Sequence, residues 1–516
     1  MAQMYEYFNA HPARRAALVA VISLAMIMQT LDATIANVAL PHMQSSMNAA
    51  QDQISWVLTS YMIASVVGMS LTGFLAARFG AKTLFIASIT GFTVASMLCG
   101  IAQSLPEMIL FRIIQGLFGA NLLPLSQSLM LDVFPREKQG PAMAIWGMGV
   151  MLGPILGPTL GGYLTEFYNW RWIFFINLPL GIICTLSVMA LLPPTPPNRK
   201  AHFDFLGFGL LAIALSSFQL MLDRGETLDW FSSGEIVAEL LLAVLCFYAF
   251  VVHMLTTDKP FITPSLFRDT NYVLSTIIGA FFGVTIFATM TLMPLMLQNL
   301  MSYSVIDTGY ILMPRGIGTM FAMALVGRLM GKIDPRTIMF AGMAVIAASL
   351  WHMSTWTTQV SGTEMIVTGA VQGVGIGLLF PPLSIVAYST LPAPLRTEGA
   401  AFFSLTRNMG ASAGISIMVA LLAQNTQINH AALAEHVTPF SRAIQSLLPT
   451  AGWSIDAAAG LAQLNGELTR QATMISFIND YRVMAYAVAA VLPLIFFLRL
   501  PQRGAQVPQP TAVADH

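Results

Sequence analysis

One aspartate lies inside an otherwise apolar stretch near the start of the chain. No charged residue separates Ala16 from Asp32, and the run is long enough to enter a membrane as a helix. A carboxylate in the hydrocarbon of a bilayer costs at least about 2.5–3.5 kcal/mol. We therefore expect Asp32 to have a cationic partner, to line a water-filled cavity or to carry a proton.

Arg112, in the fourth apolar run, is the candidate partner of Asp32. Counting about 1.5 Å per helical residue, Asp32 lies roughly 25 Å above the start of its span and Arg112 about 8 Å inside the far end of its own, so the two reach similar depths. One interpretation is a static ion pair that joins two helices. The other is a proton-coupling site, because burial raises the proton affinity of a carboxylate, a nearby arginine lowers it, and a conformational change could then load and release a proton.

Polar and aromatic side chains around these two charges predict a cavity. Arg112 and Gln115 begin a stripe along one face of the fourth span, and Gln29 shares a face of the first span with Asp32. Such faces turn inward in a membrane protein. Residues of this kind either line a substrate site or only fill space between helices. The candidates for the cavity and substrate site are Gln29, Asn37, Trp56, Tyr61, Gln115, Asn121 and Gln127.

The fifth span carries glycine at every fourth position. This spacing is formed by Gly149, Gly153, Gly157 and Gly161, and Pro154 lies within the same run. Small residues let helices approach closely, and a proline removes a backbone hydrogen bond and bends the helix. The pattern predicts either ordinary tight packing or a hinge between two rocking halves.

Composition identifies the elements that must hold these residues. The chain of 516 residues is 56% hydrophobic and 9% charged, with a mean hydropathy of +0.70, whereas soluble proteins carry about 25% charged residues. We expect an all-α polytopic membrane protein. The 24 basic and 24 acidic residues give no basic arm for nucleic acid, and we find no phosphate-binding loop, metal-like spacing or nucleophile–base pair. An enzyme and a bound cofactor or metal are therefore not expected.

Fourteen apolar runs are long enough to cross a bilayer core of about 30 Å. Lys and Arg cluster on alternate loops, for example at 78–82 and 332–336, which predicts that both termini are cytoplasmic. The predicted spans are 16–37, 56–76, 83–102, 108–131, 141–164, 172–192, 204–222, 236–255, 272–296, 309–329, 337–354, 365–388, 400–423 and 482–498.

A weak internal repeat predicts the domain organisation. Gly73, Arg78 and Lys82 after the second span recur as Gly327, Lys332 and Arg336 after the tenth. The repeat favours two six-helix halves of an alternating-access transporter. Neither Asp32 nor Arg112 recurs, so this pair is a candidate for chemistry. The expected domains are 1–200, two extra helices in 201–258, and 259–500, with a disordered tail at 501–516.

Residues 424–481 are too polar and too long for a simple turn on the outer side. Segments 431–448 and 455–475 have helix-like composition and could form a hairpin. The loop is expected to be a solvated cap or a docking surface for another protein.

These motifs resemble the major facilitator superfamily, and most closely its fourteen-helix drug:proton antiporters of the EmrB/QacA type. The fifth-span pattern corresponds to the antiporter signature of that superfamily. The resemblance also includes Leu31-Asp32-x-Thr34, the loop with Gly73, Arg78, Gly80 and Lys82, Arg112-x-x-Gln115-Gly116, Trp170-Arg171-Trp172, Asn177-x-Pro179, Asp204-Phe205-Leu206-Gly207 and Pro314-Arg315-Gly316.

The resemblance implies export of hydrophobic or amphipathic compounds from the bacterial inner membrane, driven by proton entry. In Gram-negative relatives it implies a periplasmic adaptor and an outer-membrane channel as partners. The alternative is a proton-coupled exporter or symporter of one metabolite, such as a fatty acid or a siderophore, on the same fold. Three further charges remain open: Asp204 is expected to cap a helix, and Arg315 and Arg407 to pair with carbonyl groups or line the cavity.

Overall fold

The computed structural model describes residues 8, 11–135, 138–198, 202–392, 395–437 and 458–499, and within these ranges it contains helices and no β-sheet. Fourteen helices in the described ranges are long and apolar enough to cross a membrane, which confirms the predicted number. They are α1 Pro12–Ser46, α2 Trp56–Phe79, α3 Ala81–Ile101, α4 Leu105–Val133, α5 Gln139–Phe167, α6 Trp172–Leu191, α7 Phe205–Arg224, α8 Gly234–Thr256, α9 Thr270–Leu300, α10 Ile306–Leu329, α11 Pro335–Met353, α12 Gly362–Ser389, α13 Arg396–Glu435 and α14 Ala459–Phe497.

The last two helices differ from the prediction. The polar stretch 424–481 is not a loop throughout, because α13 continues to Glu435 and α14 begins at Ala459. At about 1.5 Å per residue, each of these helices is nearly twice as long as a bilayer core of about 30 Å is thick. Polar contacts join the extensions: Asn429 donates to Ser476 Oγ at 3.0 Å, and a ring nitrogen of His430 lies 2.9 Å from Asn465 Oδ1. The centre of the predicted loop and the tail 501–516 lie outside the described residues.

Helices α1–α6 and α9–α14 meet at the face of the membrane domain that carries loops 78–82 and 332–336, here called the basic face. A Cβ atom on Gly73 of α2 would lie 3.1 Å from Glu398 Cα of α13, and one on Gly327 of α10 would lie 3.3 Å from Pro141 Cα of α5. The repeated glycines thus occupy equivalent positions, each at a contact with the other half. Ser128 and Thr397 add a hydroxyl pair between the halves, with their oxygens 3.0 Å apart.

The two extra helices pack beside this contact. Helix α7 lies against both α2 and α13, and α8 packs on α7. Ser416 of α13 donates to the Leu222 carbonyl at 2.7 Å, which ties the end of α7 to the second half. The pair therefore covers the junction of α2 and α13 without separating the halves.

Candidate functional site

Asp32 is fully buried in the middle of α1, and three side-chain donors surround its carboxylate. Arg112 Nη1 donates to Oδ2 at 2.9 Å, while Gln115 Nε2 and Asn177 Nδ2 both donate to Oδ1 at 2.9 Å. Asp32 and Arg112, which the sequence places at similar depths, therefore form an ion pair. Because all three neighbours present N–H groups and none presents an acceptor, the arrangement suits an ionised carboxylate.

Arg112 is held by more than its ion pair. Its Nε donates to the Val57 carbonyl at 3.1 Å, and Nη1 also donates to Gln115 Oε1 at 2.8 Å. The guanidinium carbon lies 4.2 Å from the centre of the Tyr61 ring, a distance at which the ring face attracts a cation. Nη2 is buried and has no hydrogen-bond partner in the described part of the chain. The guanidinium is therefore positioned by the Val57 carbonyl, the Gln115 amide oxygen and the Tyr61 ring as well as by the Asp32 carboxylate.

Asn177 is a member of the site that the sequence did not assign to it. It lies where the short helix Trp172–Phe175 gives way to Asn177–Leu191, so its side chain enters the domain from the sixth span. Its amide also donates to Ser96 Oγ at 2.9 Å. The only available sequence signal was the motif Asn177-x-Pro179, which marks the position but not its neighbours.

The glycines of α5 lie at a close helix contact within the first half. Gly153, Gly157 and Gly161 do not face the second half but pack on α1, and all three lie too close for an added methyl group. A Cβ atom on Gly153 would lie 2.6 Å from Leu31 N, and one on Gly157 would lie 2.9 Å from Thr34 Cβ. The reason is that different faces of α5 contact different helices. Its glycine face packs on α1, whereas Gly147 and Ile155, on other faces, contact α10. This contact is the tight helix packing that the pattern allowed as one interpretation, here between α5 and the helix of Asp32, and a hinge between the halves stays a prediction.

The remaining cavity candidates occupy different surroundings. Gln29 is half-buried and Asn37 is exposed, so Asn37 does not join the carboxylate cluster. Trp56 is half-buried, and the Arg224 guanidinium lies 5.8 Å from its ring. The amide oxygen of Asn121 accepts from Thr72 at 2.9 Å, at the break within α4 where Leu105–Gly119 ends and Leu122–Val133 begins.

Gln127 connects the two halves. Its Oε1 accepts a hydrogen bond of 3.2 Å from the Tyr388 hydroxyl of α12, and its Nε2 is buried without a partner among the described residues. Of the seven predicted cavity residues, the structure thus brings Gln115 to the carboxylate and Tyr61 to the guanidinium. Gln29 lies beside the Tyr61 hydroxyl, the other four lie elsewhere, and the roles of all seven stay predictions.

The loop after α2 is tied to the end of the sixth span at the basic face. Lys82 Nζ donates to the Met189 carbonyl at 2.9 Å, and its backbone N–H donates to Thr195 Oγ1 at 3.1 Å. Gly80 has φ +85°, a backbone conformation that side chains other than glycine rarely adopt. Arg78 is half-buried beside it. These contacts hold the loop within the first half.

Asp204 caps α7 as predicted: its carboxylate accepts from Gly207 N–H at 2.8 Å. It also lies 2.9 Å from His253 Nε2 and accepts from Phe261 N–H at 3.1 Å. Burial alone would raise the pKa of Asp204, but these hydrogen bonds and the nearby His253 lower the pKa below the usual carboxyl value.

Three other buried charges lie in the second half. Arg315 donates from Nη2 to the Ile286 carbonyl at 3.3 Å, and Arg407 lies 5.4 Å from the Phe380 ring centre. Asp480 is fully buried in α14, and neither of its carboxylate oxygens has a hydrogen-bond partner among the described residues. Sequence reasoning missed Asp480 because the predicted span began at residue 482, after this polar turn of the helix.

Comparison with known proteins gives consistent matches. The family model of the Major Facilitator Superfamily matches residues 22–415. The multidrug export protein EmrB of Escherichia coli (strain K12) is 34% identical over 93% of this chain and 94% of its own length. The fatty acid resistance protein FarB of Neisseria gonorrhoeae is 33% identical over 93% of this chain and 95% of its own length.

Solved structures match the fold at low sequence identity. The proton:xylose symporter XylE aligns with a TM-score of 0.63 and 12% identity, over 94% of this chain and 96% of the symporter. The human organic anion transporter MFSD10 aligns with a TM-score of 0.60 and 14% identity, over 92% and 99% of the two chains. Together with the family model, the fourteen membrane helices and the full-length relatives, these matches show that the chain belongs to the major facilitator superfamily and is similar, within it, to the EmrB export proteins.

Proposed function

We propose that the protein is a proton-driven antiporter that exports hydrophobic or amphipathic compounds across the bacterial inner membrane, with both termini in the cytoplasm. The proton gradient is its energy source, and no cofactor takes part. The observation that supports the proposal most is the buried carboxylate of Asp32 with Arg112, Gln115 and Asn177 around it.

Protonation of Asp32 would change the forces within this cluster. A neutral carboxyl group no longer offsets the charge of Arg112, and a buried cation without its partner is strongly destabilising. One of the donors from Gln115 or Asn177 would also meet the new O–H group. Proton uptake therefore favours a conformation in which the four groups separate or gain water.

The packing of α5 supplies a route from the carboxylate to the rest of the protein. Thr30, Leu31 and Thr34 of α1 contact the glycine face of α5, and other faces of α5 contact α10 in the second half. A shift of α1 therefore cannot leave α5 unchanged, because the glycines leave no space for an independent movement. In this proposal, α5 transmits the protonation state of Asp32 to the contact between halves.

The test uses purified protein in vesicles with an imposed pH gradient and a fluorescent transport substrate. We expect Asp32→Asn to abolish gradient-driven movement while the variant still binds the substrate. Ser416→Ala is the control, because Ser416 lies between α13 and α7, away from Asp32. Gradient-driven transport by Asp32→Asn at the wild-type rate would refute the coupling role.

An exporter or symporter of one metabolite on the same scaffold is the second candidate, and the fatty acid resistance name of FarB is compatible with it. Transport direction under an inward proton gradient separates antiport from symport. A substrate panel in the same vesicles separates a broad exporter from one that accepts a single chemical class.

We further propose that the extensions of α13 and α14 contact a periplasmic adaptor, which would continue to an outer-membrane channel. The extensions expose the apolar side chains of Ile428 and Leu461, at 62% and 53%. A partner bound to the extensions would remove these two side chains from water. Ile428→Glu combined with Leu461→Glu should prevent co-purification of the adaptor and preserve membrane insertion. Unchanged adaptor recovery with the double variant would contradict this contact.

A further inference from the structure

A cavity lies between the halves, away from their contact at the basic face. Its volume is about 130 Å³, less than the about 300–1,000 Å³ that is typical of small-molecule sites, so in this conformation it holds only part of a ligand. Helix α5 lines one side, and α9, α10 and α12 of the second half line the others. None of the seven residues predicted for a substrate site is among its lining residues.

The cavity wall is almost entirely apolar. Met151 of α5, Met290 of α9 and Met313 of α10 contribute flexible thioether side chains, and the rest of the wall is largely Ile, Leu, Pro and Gly. Methionine adapts its shape to different apolar ligands. The wall therefore suits a hydrocarbon or aromatic body whose shape is not tightly defined.

Arg315 is the single charged residue among those that line the cavity. Its side chain is 93% buried, and its one hydrogen bond among the described residues runs from Nη2 to the Ile286 carbonyl at 3.3 Å. Nη1 is buried and has no hydrogen-bond partner in the described part of the chain, and no carboxylate there forms an ion pair with the guanidinium. A buried guanidinium with a free N–H group presents donors for an anion.

We infer that this cavity binds the acidic head of an amphipathic anion on Arg315 and its apolar body against the methionine-rich wall. The inference deepens the proposed function, on which it rests, by naming the substrate class. An anion supplies the negative charge and the hydrogen-bond acceptor that Arg315 lacks as partners in the described part of the chain. A neutral compound of the same shape supplies neither, and a cation is repelled, so the site selects by charge.

The position of the cavity connects this site to transport. Pro154 and Ile155 of α5 line it, and Ile155 packs against Gly316, the residue after Arg315. The same helix packs its glycine face on α1, which carries Asp32. A movement of α5 therefore changes the wall opposite the arginine, and the proton site and the anion site share one mobile helix.

The test measures binding by titration calorimetry to the full-length protein in lipid nanodiscs at a fixed pH, without a proton gradient. The probes are a naphthyl-substituted carboxylic acid, its methyl ester and a trimethylammonium analogue of the same body. We expect the wild type to prefer the acid over both analogues. Arg315→Gln should weaken acid binding about 10- to 100-fold, the range expected for a lost hydrogen bond to a charged group, and leave ester binding unchanged.

Arg407→Gln is the matched control, because Arg407 is a second buried arginine of the same half that does not line the cavity. It should retain the preference for the acid. Equal wild-type affinity for acid and ester, or loss of both probes in Arg315→Gln, would overturn the inference. Should Arg315→Gln fail to fold, Arg315→Lys keeps the charge and must still prefer the acid; equal binding of acid and ester by that variant contradicts the inference.

Failure of this site and failure of the proposed function give different results. If the wild type exports neutral compounds under a pH gradient but does not prefer the acid, only the anion site is wrong. If the acid binds through Arg315 but no probe moves under a pH gradient, the site stands and the antiport mechanism fails.

Discussion

Gly153 of α5 lies directly against Thr30 of α1: a Cβ atom on Gly153 would come within 2.5 Å of the Thr30 carbonyl carbon. Thr30 precedes Asp32 by two residues, so the tightest helix contact in this region is beside the buried carboxylate. Thr34 adds a hydrogen bond of 3.3 Å to the Gly153 carbonyl. The absence of a side chain at Gly153 therefore allows α1 to pack on α5 beside Asp32.

Gly153→Ala should damage both stability and coupling. The added methyl group forces α1 and α5 apart, and overpacking of this kind costs about 1–3 kcal/mol. We expect a lower Tm for the purified protein and at least a tenfold lower rate of gradient-driven transport. Gly162→Ala on the same helix is the control, because a Cβ atom there would meet nothing within 4 Å. A Gly153→Ala protein with wild-type Tm and rate would show that the contact is not limiting.

Asn177→Leu should move the pH profile of transport. The change removes one neutral donor from the Asp32 carboxylate but keeps a side chain of similar size. A hydrogen bond to a charged group contributes about 1.5–3 kcal/mol, and about 1.4 kcal/mol corresponds to one pH unit. Because the donor favours the ionised form, its loss should shift half-maximal transport by roughly one to two units toward higher pH.

The measurement is the initial transport rate across a pH series at a constant gradient. Asn121→Leu serves as the control, since Asn121 is another buried asparagine of the first half but bonds to Thr72 and not to Asp32. We expect Asn121→Leu to lower the Tm without moving the profile. Equal shifts in the two variants would mean that the profile reports general destabilisation.

A cross-link at the basic face should stop transport. The hydroxyl oxygens of Ser128 and Thr397 lie 3.0 Å apart across the halves, so cysteines at both positions are within reach of a short bifunctional thiol reagent. The double-cysteine variant also carries Cys246→Ser, because the native Cys246 is partly exposed and could react, whereas Cys99 and Cys184 are buried. Alternating access requires this contact to open, and we expect the reducible cross-link to abolish transport and its reduction to restore it. Full transport by the cross-linked protein would contradict the rocking of two halves.

We predict that Asp204, at the start of α7, makes the stability of the folded protein depend on pH. Its lowered pKa means that its stabilising contribution is complete above the usual carboxyl pKa and is lost as the pH falls through the lowered value. Loss of an N-cap costs about 0.5–2 kcal/mol, so Asp204→Ala should lower the Tm clearly at pH 7 and much less at pH 3. Asp269→Ala removes a cap with a bond of 3.0 Å to Tyr272, and it should have a smaller effect at pH 7. A Tm difference for Asp204→Ala that does not depend on pH would refute this account.

Sequence patterns predicted the helices because a bilayer allows little choice. Every span must be apolar and long, so the number fourteen followed from composition, and charge spacing paired Asp32 with Arg112. Depth along a helix is readable from a sequence, but rotation about its axis is not. The helix that faces the α5 glycines could therefore not be predicted, and Asn177 was missed because its side chain reaches the site from a helix start.

The ends of helices were predictable only where polarity changes at the membrane surface. Residues 424–435 and 459–481 are polar, so they were assigned to an outer loop with a possible helical hairpin and not to the spans, although a helix can continue from the membrane into water when another helix supports it. The same error placed Asp480 outside the membrane. Pairing with a carbonyl group and lining a cavity were the two roles expected for Arg315, and it does both, but the other walls of the cavity were beyond prediction because they come from four helices that are distant in sequence.

The unbroken length of α13 has a mechanical consequence. This helix runs for 40 residues from Arg396 to Glu435, with the contact of Glu398 and Gly73 in its first turn, and is a rod of about 60 Å at about 1.5 Å per residue. A tilt of about 10° about the midpoint of this helix would displace its tip, about 30 Å away, by about 5 Å, and a neighbour bound at the tip would follow each opening of the two halves.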